Sequence, residues 1–326
     1  MAMKVHLWGI RGSLPAPHTP AQLEERLLQT LEEFVAYQSK GGKSVKEFLN
    51  SLPHSRKGGF GGHTACIQVT TPKANVIIDG GSGLRRLGEQ LVMGPCGLGR
   101  GEVHILFTHF HWDHLIGLPF FLPMFIPGNQ IHMYAVQEDL PDHVRSMFEK
   151  PRFPVPFDQL GAKIHFHRLS PRQKVQLRDI EYTPYELDHP DPCWGYRFEH
   201  DKKVLAYCVD SECIRMSASE LGPDLPLYQN VDAMIFDAQY SFVEATERIN
   251  WGHASAPIGL DLAMREKVKR VFFIHHDPAA SDGKIAKIEG QTREYYQAIV
   301  RSLKEQNEPV HEVDWCFARE GMVIEV

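Results

Sequence analysis

Short runs of apolar, β-branched residues bounded by Gly, Pro, Asp or Asn recur along the chain, at residues 4–10, 64–70, 75–79, 103–108, 130–136, 163–169, 203–209, 233–237 and 270–274. Runs of this length and composition predict strands, several of them apolar on both faces and so covered on both sides. A further run, 180–187, leads into Asp188-His189-Pro190. A different period sets in after Thr19. Thr19-Pro20-Ala21-Gln22 has the form of a capping box with proline at the first helical position, and Leu23, Leu27, Leu28, Leu31, Phe34 and Val35 mark one face of the helix that follows. Ser44-Val45-Lys46-Glu47 opens a second, shorter helix that Pro53 stops, and Pro257 starts another. No repeat of fixed period and no Ser/Gly/Pro linker divides the chain, so the pattern predicts one domain over 1–326 with a helical insert at 19–57. The apolar stripe of the insert needs a partner surface; it is expected to pack as a flap on its own domain, with a dimer contact or an active-site cover as its other uses. Many strands separated by helices, without strict βαβ alternation, predict two sheets with helices outside.

Composition narrows the class. With 43% hydrophobic and 23% charged residues, 26 Gly and 22 Pro in 326 positions, collagen-like, coiled-coil and disordered chains are excluded. Lys plus Arg number 35 against 41 Asp plus Glu, a formal charge of −6, and no long basic block follows a phosphate backbone, which disfavours nucleic acid as an extended partner. No apolar run approaches the roughly 20 residues of a membrane span and the N-terminus enters a strand pattern at once, so no membrane association and a cytoplasmic location are expected. Cys66, Cys96, Cys193, Cys208, Cys213 and Cys316 form no C-x-x-C pair, and several sit in apolar runs as small buried hydrophobes, as in a reducing compartment. The unusual count is 18 His, since neutral imidazole is the commonest metal ligand.

At the end of the 103–108 run the chain reads His109-Phe110-His111-Trp112-Asp113-His114. In extended chain, residues two apart point the same way, so His109 and His111 can reach one ion; Asp113 and His114, where the loop turns, can address a second. The apolar run 115–121 is suited to seating this loop on the core. Further candidates stand at downstream strand ends: His189 after 180–187, Asp210 after 203–209 where a carboxylate can bridge two ions, and His275-His276 after 270–274. One such residue alone more often anchors a turn; beside so dense a cluster, the set points to a metal centre.

On these residues the chain resembles the metallo-β-lactamase fold superfamily of metal-dependent hydrolases, through most of its length outside 19–57. The family's His-x-His-x-Asp-His signature matches His109, His111, Asp113 and His114. The resemblance implies an α/β fold, a four-layer αββα sandwich with two mixed β-sheets. It implies two divalent metal ions, Zn²⁺ or else Mn²⁺, with His189 completing the first site, Asp210 bridging, and His275 closing the second; His276 is the fallback for that last place. Asp79, in Val76-Ile77-Ile78-Asp79-Gly80-Gly81-Ser82-Gly83, resembles the family's early Asp-x-Gly turn, which supports the metal loop.

Asp rather than Cys in the bridging position disfavours the β-lactam-hydrolysing branch. Trp251-Gly252-His253-Ala254-Ser255 and Phe236-Asp237-Ala238-Gln239-Tyr240 resemble motifs of the tRNase Z and cyclic-nucleotide phosphodiesterase branch, in which an acidic residue orients a histidine that protonates the leaving oxygen. Asp237 and His253 take those places and, with Asp113, are the candidate catalytic residues. Trp8-Gly9-Ile10-Arg11-Gly12-Ser13 and Gly61-Gly62-His63-Thr64-Ala65-Cys66 resemble bacterial members of the same group. Glycines there let backbone N–H groups approach an anion, making Arg11, Ser13 and His63 candidate substrate contacts, with His276 beside His275 a fourth; turns joining strands explain the glycines equally well. Residues 147–157 are too short to form the Gly/Pro/basic arm of long tRNA-processing members. The resemblance therefore implies hydrolysis of a small phosphodiester such as a cyclic nucleotide, by attack of a metal-bridging hydroxide. Alternatives are tRNA 3′ processing, lactone or thioester hydrolysis, and a catalytically silent ligand sensor. A homodimer is the assembly expected from the family and the insert.

Overall fold

The computed structural model describes residues 2–326. In chain order the strands are β1 (Lys4–Gly9), β2 (Cys66–Thr70), β3 (Asn75–Ile78), β4 (Glu102–Leu106), β5 (Gln130–Ala135), β6 (Lys163–Arg168), β7 (Val175–Leu177), β8 (Ile180–Glu186), β9 (Trp194–His200), β10 (Lys203–Cys208), β11 (Ala233–Asp237), β12 (Arg270–Ile274), β13 (Asp314–Phe317) and β14 (Val323–Glu325). The runs expected to be strands all become strands, with ends within two residues of those expected. β7, β9, β13 and β14 are additions.

The strands form two seven-stranded sheets, ordered β14-β1-β2-β3-β4-β5-β6 and β13-β12-β11-β10-β9-β8-β7. Each sheet is mixed: β3 to β6 run parallel in the first and β10 to β13 in the second, with antiparallel strands completing both. Alternation explains which side faces where. In β1, Val5 and Leu7 are buried while Lys4 is exposed, whereas β11 lies mid-sheet and is buried throughout. Inner faces of both sheets meet in one cluster that includes Val5, Leu7, Ile78, Leu106, Tyr182, Tyr196, Phe198 and Ile235. The outer face of the first sheet packs Ile77, Ile105, Phe107 and Met133 against helices α4 (Gly83–Leu91), α5 (Trp112–Leu115) and α6 (Leu140–Ser146). After a short helix α7 (Ala218–Leu221) and α8 (Phe242–Glu247), helices α9 (Ala256–Glu266) and α10 (Asp282–Glu305) cover the second sheet. This is the expected four-layer sandwich.

The insert folds as three helices, α1 (Pro20–Ser39), α2 (Val45–Ser51) and α3 (His54–Lys57). Thr19 caps α1 in the expected box, and Ser44 caps α2. The packing differs from expectation. α1 has no buried residue, and Leu23, Leu27, Leu28, Leu31 and Val35 are each more than half exposed, so the stripe does not pack on its own domain. α1 is held instead by Phe34 and Tyr37 against the buried Phe48 of α2, and by ion pairs of Arg26 with Asp282 and of Glu33 with Arg56. Among the described residues, no helix is long and apolar enough to cross a membrane.

Candidate metal centre

The site residues follow the C-terminal ends of strands: Asp79 after β3, the His109–His114 loop after β4, His189 after β8, Asp210 after β10, Asp237 at the end of β11 and His275 after β12. Ends of parallel strands are where backbone leaves the sheet with unpaired groups, and α/β folds place ligands there. Ser13, Asp79, Asp210 and His275 all have positive φ (58°, 61°, 63° and 66°). Four non-glycine residues in this sparsely populated region cost roughly 1–3 kcal/mol each, and such strain gathers at functional sites.

The structure brings the candidate ligands together in overlapping groups. His109, His111 and His189 form one; His109, His114 and Asp210 a second; Asp113, His114 and His275 a third. In each, one donor atom per residue lies within 4.8 Å of the others. Asp210 stands between the ends of the cluster: its Oδ2 is 3.0 Å from His114 Nε2 and 3.3 Å from His275 Nε2, and its Oδ1 is 3.5 Å from His253 Nδ1. Asp113 Oδ2 accepts the Ser13 N–H at 2.7 Å and faces His275 Nε2 at 3.2 Å.

The donors fit divalent metal. His109 Nε2, His114 Nε2, His189 Nε2 and Asp210 Oδ2 are buried and lack a partner in hydrogen-bonding geometry, although three sit close enough to neighbours to share an ion. A buried polar atom left unpaired costs about 1–3 kcal/mol, as for His109 Nε2 and His189 Nε2; together with His114 Nε2 and Asp210 Oδ2, which face each other at 3.0 Å, they form a donor set that fits a cation. Charge argues the same way. Asp79, Asp113, Asp210 and Asp237 are all at most 5% exposed, and anions this close need positive charge among them. Without metal, protons serve. Burial opposes the charge on His275, but Asp210, Asp113 and Asp237 outweigh it and raise the imidazole to about 9; the same contest holds His114 well above its ordinary value. Burial alone would raise Asp113 and Asp210, yet the facing imidazoles drive both well below the usual carboxylate range. At the other end, burial and neighbouring imidazoles keep His109 neutral.

Around these donors, other groups fix orientation. Asp79, wholly buried, accepts from Thr108 N (2.9 Å), from Thr108 Oγ1 (3.1 Å) and from Tyr207 Oη (3.3 Å), and lies 2.9 Å from His114 Nδ1. A carboxylate on Nδ1 fixes the tautomer and leaves Nε2 as the ligand. His189 Nδ1 faces Asp191 O at 2.9 Å, and His111 Nε2 meets Asp191 Oδ2 at 2.8 Å. Gly252 (φ +87°) lies flat on the His189 ring; a Cβ there would stand 2.2 Å from Cδ2. Asp237 Oδ2 faces His253 Nδ1 at 3.0 Å and accepts the Asp210 N–H at 3.1 Å, so one carboxylate ties the histidine to the metal cluster.

A cavity of about 240 Å³ opens over the cluster, lined by Ser13, His111, Trp112, Asp113, Asp210 and His253. Three candidate substrate contacts lie outside this cavity and are engaged elsewhere. Arg11 is 2% exposed, and its guanidinium is spent on the carbonyls of Gly61, Asp277 and Ala280 and on Asp282. His276 is buried against Phe60 and Phe317 with Nε2 on Ala318 O; burial, with Arg11 nearby, lowers it to about 3. His63 pairs with Ser82 and lines a separate cavity of about 460 Å³. The glycine turns hold no open anion cradle either: the N–H groups of Arg11, Gly12 and Ser13 go to His63 O, His276 O and Asp113, and those of Gly62 and His63 to the Glu320 carboxylate. Ser13 alone of that group faces the site.

Sequence reasoning passed over Trp112, although it lies inside the signature, and Gln239, whose amide donates to Ser13 Oγ (3.3 Å) and Tyr240 Oη (3.1 Å). A larger cavity, about 670 Å³, lies between α1 and the start of α10. It is remote from the chemistry: its buried carboxylate, Asp282, is already paired with Arg11, His18 and Arg26.

Comparison with known proteins identifies the fold family. Ribonuclease Z of Staphylococcus carnosus is 25% identical over 145 residues, 41% of this chain and 42% of that protein, so the match spans about two-fifths of the relative's length. YhfI of Bacillus subtilis, a metallo-β-lactamase fold protein, superposes with a TM-score of 0.62 over 99% of both chains at 14% identity. Yeast PDE1 does so with a TM-score of 0.56 over 100% of this chain and 99% of that one at 13% identity. The family model of the beta-lactamase superfamily domain matches residues 74–276, from the strand before Asp79 to the one that presents His275, and the chain belongs to that superfamily.

Proposed function

We propose that this chain is a dinuclear metal-dependent phosphodiesterase acting on a small phosphodiester such as a cyclic nucleotide. The observation that carries the reading is the Asp237–His253 pair, set against Asp210 at the edge of the metal cluster, with His253 lining its cavity and Asp237 buried behind it. His109, His111 and His189 would hold one ion, Asp113, His114 and His275 the other, with Asp210 shared. Two divalent cations bound there, zinc foremost, would supply Lewis acidity toward phosphoryl oxygens and would acidify water near neutral pH. Asp237 Oδ2 accepts a hydrogen bond from His253 Nδ1–H, which holds the ring so that Nε2–H can give its proton to the departing sugar oxygen. Asp113, fixed by the Ser13 N–H, holds the loop of ligands in place.

Ribonuclease Z and PDE1 support phosphodiester chemistry, and the cavity of about 240 Å³ favours a small substrate over an RNA. Metal analysis and one substrate panel test this: 3′,5′- and 2′,3′-cyclic nucleotides, bis(p-nitrophenyl) phosphate, pre-tRNA and an acyl-homoserine lactone. Two metals per chain and turnover of a cyclic nucleotide are expected. Cleavage of pre-tRNA or lactone alone contradicts the substrate; two metals with no hydrolysis favours a silent sensor.

A further inference from the structure

The fold leaves two indoles open near the metal cavity: Trp112 lines it, and Trp251 stands two residues before His253, which lines it too. Trp112, between His111 and Asp113, is 72% exposed, although its neighbours Asp113, His114 and Leu115 are buried. Trp251 is 62% exposed. Neither is loosely tethered. Trp112 begins α5, with its carbonyl accepting from Ile116 N at 2.8 Å. The Trp251 loop is pinned by Gly252 N donating to Glu212 (2.9 Å), by Gly252 lying on the His189 ring, and by the Arg248 guanidinium 5.9 Å from the Trp251 ring and 4.9 Å from Tyr240. One indole thus belongs to the first ligand loop and the other to the loop of the proposed proton donor. Large aromatic faces held open beside a catalytic cavity contribute little to folding and offer flat surfaces to a ligand.

We infer that Trp112 and Trp251 are specificity-determining residues that stack on a planar ring of the substrate, so that the site selects a phosphodiester carrying a nucleobase or aryl group over an alkyl one. This rests on the phosphodiester reading for what occupies the metals, but its test is separable. Isothermal calorimetry on metal-replete protein compares AMP with ribose 5-phosphate, which share sugar and phosphate and differ by the base. AMP is expected to bind at least tenfold more tightly. Trp112→Ala or Trp251→Ala should each reduce that preference roughly five- to a hundredfold, the range for one lost base stack, with Trp→Phe restoring most of it and ribose 5-phosphate affinity unchanged. Equal affinities in the parent protein, or an undiminished preference in the double alanine variant, overturn the inference. Hydrolysis of bis(p-nitrophenyl) phosphate by the same samples judges the phosphodiester reading independently.

Discussion

Asp79→Asn isolates the group that orients His114. The carboxylate is wholly buried and meets Thr108 N, Thr108 Oγ1, Tyr207 Oη and His114 Nδ1 at 2.9–3.3 Å. An amide keeps one oxygen for Thr108 but turns an N–H₂ toward the others. Facing that donor, His114 presents a bare Nδ1, so its proton moves to Nε2, the atom that faces Asp210 and the proposed metal. Loss of such a partner costs about 10- to 100-fold in metal affinity, or roughly 1.4–2.8 kcal/mol. One buried donor left unmet adds about 1–3 kcal/mol of instability. At roughly 2.1 cal/mol/K per residue, 1 kcal/mol shifts Tm by about 1.5 °C in a chain of 326 residues, so the metal-free variant should melt about 1.5–4.5 °C lower. A chelator competition titration with zinc, beside calorimetric melting, reads both numbers. A folded Asp79→Asn protein with parental metal affinity would refute the role given to Asp79.

Three further outcomes are expected. Gly252→Ala forces a side chain onto a positive φ and within 2.2 Å of the His189 ring, so it should lower stability by more than the roughly 1–2 kcal/mol of left-handed strain and weaken the His189 site, measured by urea unfolding and zinc titration. Leu27→Lys on α1 should change monomer stability by no more than about 0.5 kcal/mol, since Leu27 is 60% exposed; a loss of 2 kcal/mol or more in urea unfolding shows that the stripe is covered in solution. Glu244 caps α8; burial disfavours its charge, but Lys284 and the Ser241 N–H and hydroxyl win and lower it from 4.5 to about 2. A carboxylate with a depressed folded pKa stabilises fully above its unfolded value and loses that contribution as pH falls toward about 2. Allowing for its part-exposed position, the stability gap between parent and Glu244→Gln should be about 1–2 kcal/mol at pH 6 and shrink steadily below pH 4.5; a gap that widens in acid contradicts the assignment.

Most of the sheet framework was legible because central strands such as β4, β11 and β12 need continuous apolar runs when both faces are covered. The edge strands β7, β13 and β14 have three or four residues each, too few to show a period. β9 does alternate, with Trp194, Tyr196 and Phe198 buried, but it follows directly on the proline-rich loop of His189. The clustering of the candidate ligands was legible because four of them fall in six consecutive positions and the rest at strand ends, which the fold brings together. Arg11 and His63 read as ligand contacts because they stand beside glycine turns, and His276 because it stands beside His275; the groups that engage them here, Asp282, Ala280, Ser82 and Ala318, are not their neighbours in sequence. The exposed stripe of α1 was legible as a pattern, but a pattern does not say what covers it.

The most direct test of the catalytic reading is His253→Ala assayed with two kinds of leaving group. With bound metal unchanged, kcat on a cyclic nucleotide, which must expel a sugar alkoxide, should fall about 10²- to 10⁴-fold, and far less on bis(p-nitrophenyl) phosphate, whose phenolate departs without a proton. Parental turnover of the cyclic nucleotide by a metal-replete His253→Ala protein, or equal losses on both substrates, would contradict the role of the Asp237–His253 pair.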